Sequence, residues 1–218
     1  MFYRCSRKFK KVILSIKYYF NTVRKLKTKQ IFFQILRRIY RSKIKESNSC
    51  PELREKITNK YFLNHCHNKI SMTGATDFIF YGEKGNLIDH GWDAENKSKL
   101  WLYNLHYFND LNSIDSETRE DWHVNLVQDW IKNNPKDSLG YEPYPLSIRI
   151  VNWIKWDLRV NKLDLKAQRN LFSQGILLNK SIEYHILGNH LFTNAKALFF
   201  LGSYFKGQIA SKWLKNSI

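Results

Sequence analysis

Helical hydrophobic patterns, separated by short polar loops, follow one another from Lys99 onward. Apolar residues recur every three or four positions, which predicts amphipathic helices. With only 4 Pro and 9 Gly in 218 residues, the chain lacks the turn residues of a β-sandwich. Because the loops are short, we expect consecutive helices to pair as antiparallel hairpins. The expected helical segments are 99–111, 116–134, 144–160, 164–186 and 181–200.

Capping residues refine these boundaries. Ser116 is the expected N-cap of the second helix, and the Asn134–Pro135 pair is its expected stop. Pro145 falls near the first turn of the third, where proline is tolerated. We interpret Ser181–Phe200 as one buried helix, with Gly188 as a candidate break. An all-α fold is therefore predicted.

The rest of the chain divides into an arm, a linker and the start of the helical domain. Residues 1–45 have the pattern of a basic amphipathic helix, and residues 46–60 form a polar linker that contains a proline. The helical domain is expected over residues 61–218. Within it, the stretch DFIFYGEKGNLIDHGW has two apolar runs around a glycine-containing turn, which is a weak β-hairpin signal.

The formal charge of +17 is concentrated in the arm. Of the 36 Lys and Arg residues, 15 lie in residues 1–45, and the first acidic residue is Glu46. The rest of the chain holds 21 basic and all 19 acidic residues and is therefore nearly neutral. A surface for specific nucleic-acid binding is therefore not expected, and loose binding through the arm ranks last. The arm fits two alternatives equally: attachment to an anionic membrane surface, or packing on its own domain or on a missing part of it.

Sequence motifs argue against a metal, a nucleotide cofactor or a serine hydrolase. The stretch NHCHN, residues 64–68, stands alone without a second ligand pair, and no CxxC, HExxH, GxGxxG, GKS/T or GxSxG occurs. No metal site and no cofactor are predicted. We find no convincing signal peptide and no apolar run long enough for a membrane span. A location in the cytoplasm or at the periphery of the inner membrane is expected.

Aromatic and polar residues alternate in three of the helical segments. Most single aromatics in such patterns belong to a core, yet this mixture also suits a sugar ligand, since rings stack on pyranoses and fixed polar groups bind hydroxyls. The candidate residues for such a cleft are Asn104, His106, Glu142, Tyr144, Arg149 and Asn152.

Helical spacing places some of these groups side by side. On one continuous helix Glu183 and His190 share a face, and His190 adjoins Asn194. Arg149 and Asn152 adjoin in the same way. On such a helix His185 points away from His190, which argues against a metal site with these two histidines as ligands.

The segments LWLYNLHYFNDL, GYEPYPLSIRIVNWIKW and IEYHILGNHLFTNAKALFFLGSYF resemble consecutive signatures of the heparinase II/III-like family. The closest subgroup is found in bacterial capsule and O-antigen clusters, and the basic arm resembles the start of those proteins. The likeness spans nearly the whole chain. It departs from the family at Tyr141, where a Trp is expected before EPYP.

The resemblance implies an incomplete (α/α) toroid, followed in full-length members by a β-sandwich. It implies β-elimination on a 1,4-linked uronic-acid polysaccharide. A carboxylate must be neutralised, a base must remove the C5 proton and an acid must protonate the leaving O4. By the same resemblance Asn189 contacts the carboxylate, His190 is a base or positioning group, and Glu183 orients His190.

In the family the catalytic Tyr belongs to a later segment resembling DGxxxExSxxYH, and a further His comes from the sandwich. Neither that motif nor a sandwich is present in this sequence. We therefore expect an N-terminal fragment of a lyase, inactive alone, and a separate polypeptide that carries the missing C-terminal part is one alternative. Another is a non-catalytic carbohydrate-binding or membrane-surface protein of capsule or O-antigen biosynthesis. The alternative to all of these functions is a marginally stable, aggregation-prone remnant with an exposed half-core.

Overall fold

The computed structural model describes residues 18, 20, 21, 23–40, 42–45, 47, 52–55 and 68–217. The chain divides into two compact units. Unit 1 comprises residues 1–41 with 183–187, and unit 2 comprises residues 42–182 with 188–218. Most of the described residues are helical, as the sequence predicted.

Unit 1 contains helix α1, Thr28–Ile39, beside the turn formed by residues 183–187. Gln30 Nε2 donates to the backbone carbonyl of His185 at 3.2 Å, and the rings of Phe33 and Tyr184 lie 4.8 Å apart. These contacts fix one face of α1 on the turn.

Unit 2 begins its described secondary structure with the β-hairpin that the sequence indicated. Strands β1, Asp77–Phe80, and β2, Glu83–Asn86, pair antiparallel, with Asp77 opposite Asn86. Tyr81 and Gly82 form the turn, both with positive φ. The short helix α2, Leu87–His90, follows directly.

Longer helices make up the rest of unit 2. They are α3 Lys99–Tyr107, α4 Glu120–Asn133, α5 Pro143–Val160, α6 Leu165–Lys180, α7 Gly188–Tyr204 and α8 Gln208–Asn216. Short 3₁₀ helices cover Asn109–Asn112, Ser116–Arg119 and Leu139–Tyr141. Helix α5 packs against α3, α6 and α7, and α8 packs against α7.

Local chemistry explains several of the helix starts. The hydroxyl of Ser98 accepts a hydrogen bond from the backbone N–H of Trp101, and Asp164 caps α6 through the N–H of Ala167. Helix α5 begins with Pro143, whose fixed φ suits a first helical position and whose missing N–H costs nothing there.

Tryptophan and leucine side chains fill the core of unit 2. Trp130, Trp153 and Trp156 are fully buried, and Trp130 meets Trp153 edge to face at 5.6 Å. Helix α5 buries side chains on nearly every side, and its sequence accordingly has almost no continuous polar face. This helix is therefore the central element to which α3 and α7 are fixed.

A buried ionic cluster, which we call the Asp110 cluster, comprises Asp110, Arg119 and His123. Asp110 Oδ2 accepts hydrogen bonds from Arg119 Nε at 3.0 Å and His123 Nε2 at 2.9 Å. Its Oδ1 accepts from the backbone N–H groups of Ser71 and Met72 at 2.6 and 3.0 Å. One carboxylate thus joins the segment before the hairpin to the start of α4.

Burial raises the pKa of the Asp110 carboxyl, but the hydrogen bonds from His123, Met72, Ser71 and Arg119 outweigh burial. Together they hold that pKa well below its ordinary value. The carboxylate therefore stays ionised and keeps its donors down to acidic pH.

Two details of the sequence prediction are wrong. Residues 181–187 are not helical. Leu187 and Gly188 both have positive φ, and α7 starts only at Gly188. Ser116 begins a 3₁₀ helix, and the N-cap of α4 is Arg119.

Parts of the predicted arm and linker, and the histidines and cysteine of NHCHN, lie outside the described residues. The boundaries at residues 45 and 60 remain predictions. Among the helices that the structure describes, none has the length and apolar content needed to cross a membrane.

Candidate functional site

Four aromatic rings on α3, α5 and α7 form a continuous series at the surface of unit 2. We call the set Tyr103, Tyr107, Tyr144 and His190 the aromatic row. Ring centroids are 6.2 Å apart for Tyr103–Tyr107 and for Tyr107–Tyr144. The Tyr144 and His190 rings are 4.4 Å apart and tilted by 36°. All four residues are partly exposed, so part of each is accessible to a ligand.

An ammonium and a carboxylate lie at one end of the row. Lys99 Nζ is 3.1 Å from Glu142 Oε1 and lies 5.0 Å from the centroid of the Tyr103 ring. The Tyr103 hydroxyl donates to the other oxygen of Glu142. Because the side chain of Lys99 is 58% exposed, its charge is available to a second anion.

The Glu-Pro-Tyr-Pro sequence explains how Tyr144 reaches the row. Glu142 occupies the N-cap position of α5, so Tyr144 stands in the first turn, where no preceding helical turn covers it. The phenol of Tyr107, one ring away, is half-buried. Burial raises its pKa, and the nearby Tyr144 and Tyr81 raise it further. Tyr107 is therefore a neutral hydrogen-bonding group at physiological pH.

A buried amide sets the register between α5 and α7. Asn194 Nδ2 donates to Ser147 Oγ at 3.0 Å and to the Pro143 carbonyl at 3.4 Å. Asn194 lies one turn beyond His190 on α7, and Pro143 directly precedes Tyr144. This contact therefore explains why the His190 ring meets the Tyr144 ring.

The predicted catalytic residues, Asn189 and His190, lie in the first turn of α7. Asn189 is exposed, and His190 is partly exposed within the row. The backbone N–H groups of a first helical turn carry partial positive charge, which favours an anion nearby. This end of α7 is thus suited to a carboxylate.

Glu183 was expected on the same helical face as His190. It precedes α7 in the non-helical turn of unit 1, so that argument from helical spacing is wrong. Within unit 1 its Oε1 lies 3.8 Å from Arg37 Nη1, and His185 Nε2 lies 2.7 Å from the same guanidinium nitrogen. The structure thus gives Glu183 an electrostatic role next to α1.

Arg149 and His106 were expected to line the cleft, but the structure places both in the core with 0% exposure. The Arg149 guanidinium lies 4.0 Å from the Trp130 ring centroid, Nε donates to Gln174 Oε1 at 3.0 Å, and Nη1 donates to the His106 carbonyl at 3.3 Å. Among the described residues its Nη2 has no hydrogen-bond partner. Burial lowers the Arg149 pKa to about 9, although Tyr141 raises it.

The His106 ring is equally enclosed. Its Nδ1 accepts a hydrogen bond from Trp130 Nε1 at 3.1 Å, and a Cβ added to Gly140 would come within 2.6 Å of that nitrogen. Burial, reinforced by the charge of Arg149, lowers the His106 pKa to about 3 despite an opposing contact with the Trp92 backbone. His106 is therefore a neutral structural group.

The side-chain amides of Asn152 and Asn104 donate hydrogen bonds to other groups of the protein. Asn152 Nδ2 donates to the Tyr107 carbonyl at 2.8 Å and to Asn109 Oδ1 at 2.9 Å. Together with Arg149, three residues earlier on α5, it satisfies carbonyls at the end of α3. Asn104 Nδ2 donates to the Leu100 carbonyl of its own helix. The predicted Arg149–Asn152 neighbours thus act as a cap for α3 from within the core.

Lys99, Tyr103 and Tyr107 were not among the site residues predicted from the sequence. The spacing of the two tyrosines was a usable signal, since residues four apart adjoin on a helix. The structure brings them together with predicted residues Glu142, Tyr144 and His190.

A separate cleft of about 660 Å³ lies between the segment around α2 and helix α4. Asp129 lines it and accepts hydrogen bonds from Trp92 Nε1 at 2.7 Å and Asn133 Nδ2 at 2.6 Å. None of the predicted site residues lines this cleft. Within the described ranges, no three His, Cys, Asp or Glu residues form a group that could hold a metal ion.

No family model, curated protein or solved structure matches the chain.

Proposed function

We propose that the aromatic row binds an acidic, uronate-containing polysaccharide, and that the chain is related to the heparinase II/III-like polysaccharide lyases. The observation that carries the binding proposal is the series of partly exposed rings on three helices, with an ammonium beside it. Flat ring faces suit pyranoses, and fixed polar groups suit their hydroxyls.

The polar groups at the two ends of the row suit an acidic polymer better than a neutral one. Lys99 offers an exposed positive charge at one end. The first turn of α7, with Asn189, offers partial positive charge and an amide at the other. Successive uronates of one chain would then pair their carboxylates with these two sites while their rings contact the tyrosines.

For the lyase step we propose that Asn189 binds the carboxylate of the reacting uronate. Neutralising that carboxylate makes the C5 proton acidic. His190, in contact with Tyr144, is proposed as the base or as a group that positions the sugar. Arg149, His106 and Asn152 support this site indirectly by holding the end of α3, which carries Tyr103 and Tyr107.

Within this helical fold, we further propose that α3 to α8 form part of an (α/α) toroid. Successive helices joined by short loops, with α5 packed between neighbours, support it. We expect little or no turnover from the 218-residue chain, since the resemblance assigns proton transfer to a Tyr segment that this sequence does not contain.

Binding is tested by isothermal titration calorimetry with alginate and polygalacturonate, using dextran as the neutral control. Tyr144→Ala should weaken binding at least about tenfold, because the ring face is lost. Phe199→Ala, which removes an exposed ring elsewhere on α7, should not. Equal binding to dextran, or no effect of Tyr144→Ala, would contradict the proposal.

The lyase proposal needs a separate measurement. Unsaturated sugar ends absorb ultraviolet light, so turnover can be followed directly after mixing with the same polymers. Binding without turnover supports the carbohydrate-binding proposal, and turnover would support lyase activity. Turnover that survives Asn189→Ala and His190→Ala would exclude these residues as the catalytic pair.

A further inference from the structure

Helix α1 carries a row of large apolar side chains that face solvent. We call Phe32, Ile35, Leu36 and Ile39 the apolar stripe. Their exposed fractions are 62%, 54%, 43% and 80%, and no residue of α1 is buried. Leaving such a contiguous stripe in water is unfavourable, and a stripe of this kind typically marks an interaction surface.

The polar contacts of Gln30 and Arg37 with the described turn residues lie on the other side of α1. Gln30, Phe33 and Arg37 contact residues 183–185. At about 100° per residue, Gln30 and Arg37 lie roughly opposite the centre of the apolar stripe, and Phe33 lies about a quarter turn to one side of it. The turn therefore leaves the stripe uncovered.

Positive charge flanks the stripe on both sides. Lys29 and Arg38 project about a quarter turn to either side of its centre. Lys29 Nζ also lies 4.4 Å from the Tyr184 ring centroid. Neither α1 nor any other part of residues 1–45 contains an acid. The helix thus presents an apolar centre between two basic edges.

We propose that α1 lies in the headgroup region of an anionic lipid bilayer, with its apolar stripe in the acyl boundary and its basic edges against lipid phosphates. The pattern of apolar centre and basic flanks is that of helices lying in a membrane interface. A second copy of α1 is disfavoured, because stripe-to-stripe packing would bring like charges together. Nucleic acid would leave the apolar stripe without a partner.

This surface is independent of the aromatic row, since it rests on unit 1 alone. Vesicle binding can fail while polyuronate binding persists, and the reverse can also occur.

The test is co-sedimentation of the full chain with phosphatidylglycerol-containing vesicles and with pure phosphatidylcholine vesicles. The chain should bind the anionic vesicles, and added salt should weaken binding because it screens the charges. The double variant Phe32→Ser/Ile39→Ser should lose at least about tenfold in affinity, because two large side chains no longer enter the acyl boundary. Its matched control is Phe192→Ser/Ile88→Ser, whose parent side chains are 71% and 79% exposed in unit 2 and which should bind as the parent chain does.

A second pair of variants tests charge without changing the stripe. Lys29→Gln/Arg38→Gln should weaken binding to anionic vesicles roughly fivefold for each charge removed. Lys166→Gln/Arg169→Gln removes the same two residue types from the exposed surface of α6 and should have little effect.

Three outcomes would overturn the proposal. One is equal binding to both vesicle types, and another is unchanged binding by both α1 variants. The third is a dimer in sedimentation velocity that Phe32→Ser/Ile39→Ser dissociates, since the stripe would then bind a second copy. Circular dichroism of each variant checks that the helices are retained; if the stripe variant unfolds, the charge pair and the salt dependence decide the question.

Discussion

The Asp110 cluster and the aromatic row combine similar residue types in opposite surroundings. In the cluster a carboxylate, a guanidinium and an imidazole are buried and hydrogen-bonded to one another. In the row a carboxylate, an ammonium and an imidazole lie beside partly exposed tyrosines. Charges in the cluster therefore act on folding, whereas charges in the row remain available for a ligand.

The difference comes from what each carboxylate touches. Asp110 accepts five hydrogen bonds, including one from the Ser71 hydroxyl, that no solvent could replace once the site is closed. Glu142 is bound by Lys99 and Tyr103, and its side chain is 32% exposed. Water can take over at Glu142 but not at Asp110. Variants of matched chemistry at the two sites should thus separate stability from binding.

Asp110→Asn should have the largest effect on stability, a loss of about 3–5 kcal/mol. An amide nitrogen would face the donors of Arg119 or His123, and Arg119 would keep its buried charge without a carboxylate. Urea unfolding measures the loss. Asp121→Asn, an exposed change at the start of α4, is the control and should cost little. A loss below about 1 kcal/mol for Asp110→Asn would mean that the cluster does not hold the fold.

Lowering the pH should destabilise the protein through His106. Its pKa is about 3 when folded and its ordinary value is 6.5, so below pH 6.5 the unfolded chain takes up a proton that the folded chain does not. The stability contribution is present above pH 6.5 and is lost as the pH falls toward 3. Roughly 2 kcal/mol should disappear between about pH 6.5 and 4.5.

Urea unfolding at several pH values measures that slope. His106→Gln should flatten it, because glutamine cannot take up the proton. An unaltered slope in His106→Gln would assign the pH dependence to other groups.

Gly140→Ala should cost about 1–3 kcal/mol by overpacking. The new Cβ would lie 2.6 Å from His106 Nδ1 and 2.7 Å from its Cε1. Thermal unfolding measures the change. The double variant Gly140→Ala/His106→Ala should lose less than the two single variants together, because the smaller residue removes the clash. Strict additivity would show that the strain is relieved elsewhere.

Glu142→Gln should have the smallest effect on stability, below about 1 kcal/mol, because its ion pair with Lys99 is solvated. Its control is Glu120→Gln, which removes a similarly exposed partner of Lys162. A loss comparable to that of Asp110→Asn would erase the distinction between the two sites.

Helical periodicity predicted most of the fold because core-facing residues repeat at the spacing of a helix, as His123, Leu126 and Trp130 do on α4. Gly188 was a candidate break and α7 does begin there, but periodicity did not show that residues 181–187 lie outside a helix. Residues 181–187 keep an apolar pattern, yet Leu187 takes a positive φ of 64°, which a leucine adopts only when its surroundings require it. Sequence spacing carries no record of that constraint.

The candidate site shows the same limit. Spacing correctly placed Arg149 beside Asn152, but it could not show that their face of α5 is covered by α3 and Gln174. Gln174 lies 25 residues away in the chain, so the contact depends on tertiary packing. Tyr144 and His190 were selected separately, and only the packing of α5 on α7 brings their rings together.

Two prolines flank Tyr144, and this has a consequence for the entropy of binding. Pro143 and Pro145 restrict the backbone on both sides, and the Tyr107 and His190 rings pack against the Tyr144 ring, so this ring is largely ordered before any ligand arrives. A sugar that stacks there would spend little conformational entropy on ordering the protein. Replacing Pro145 with alanine should therefore weaken binding mainly through a less favourable entropy, with the enthalpy of contact nearly unchanged.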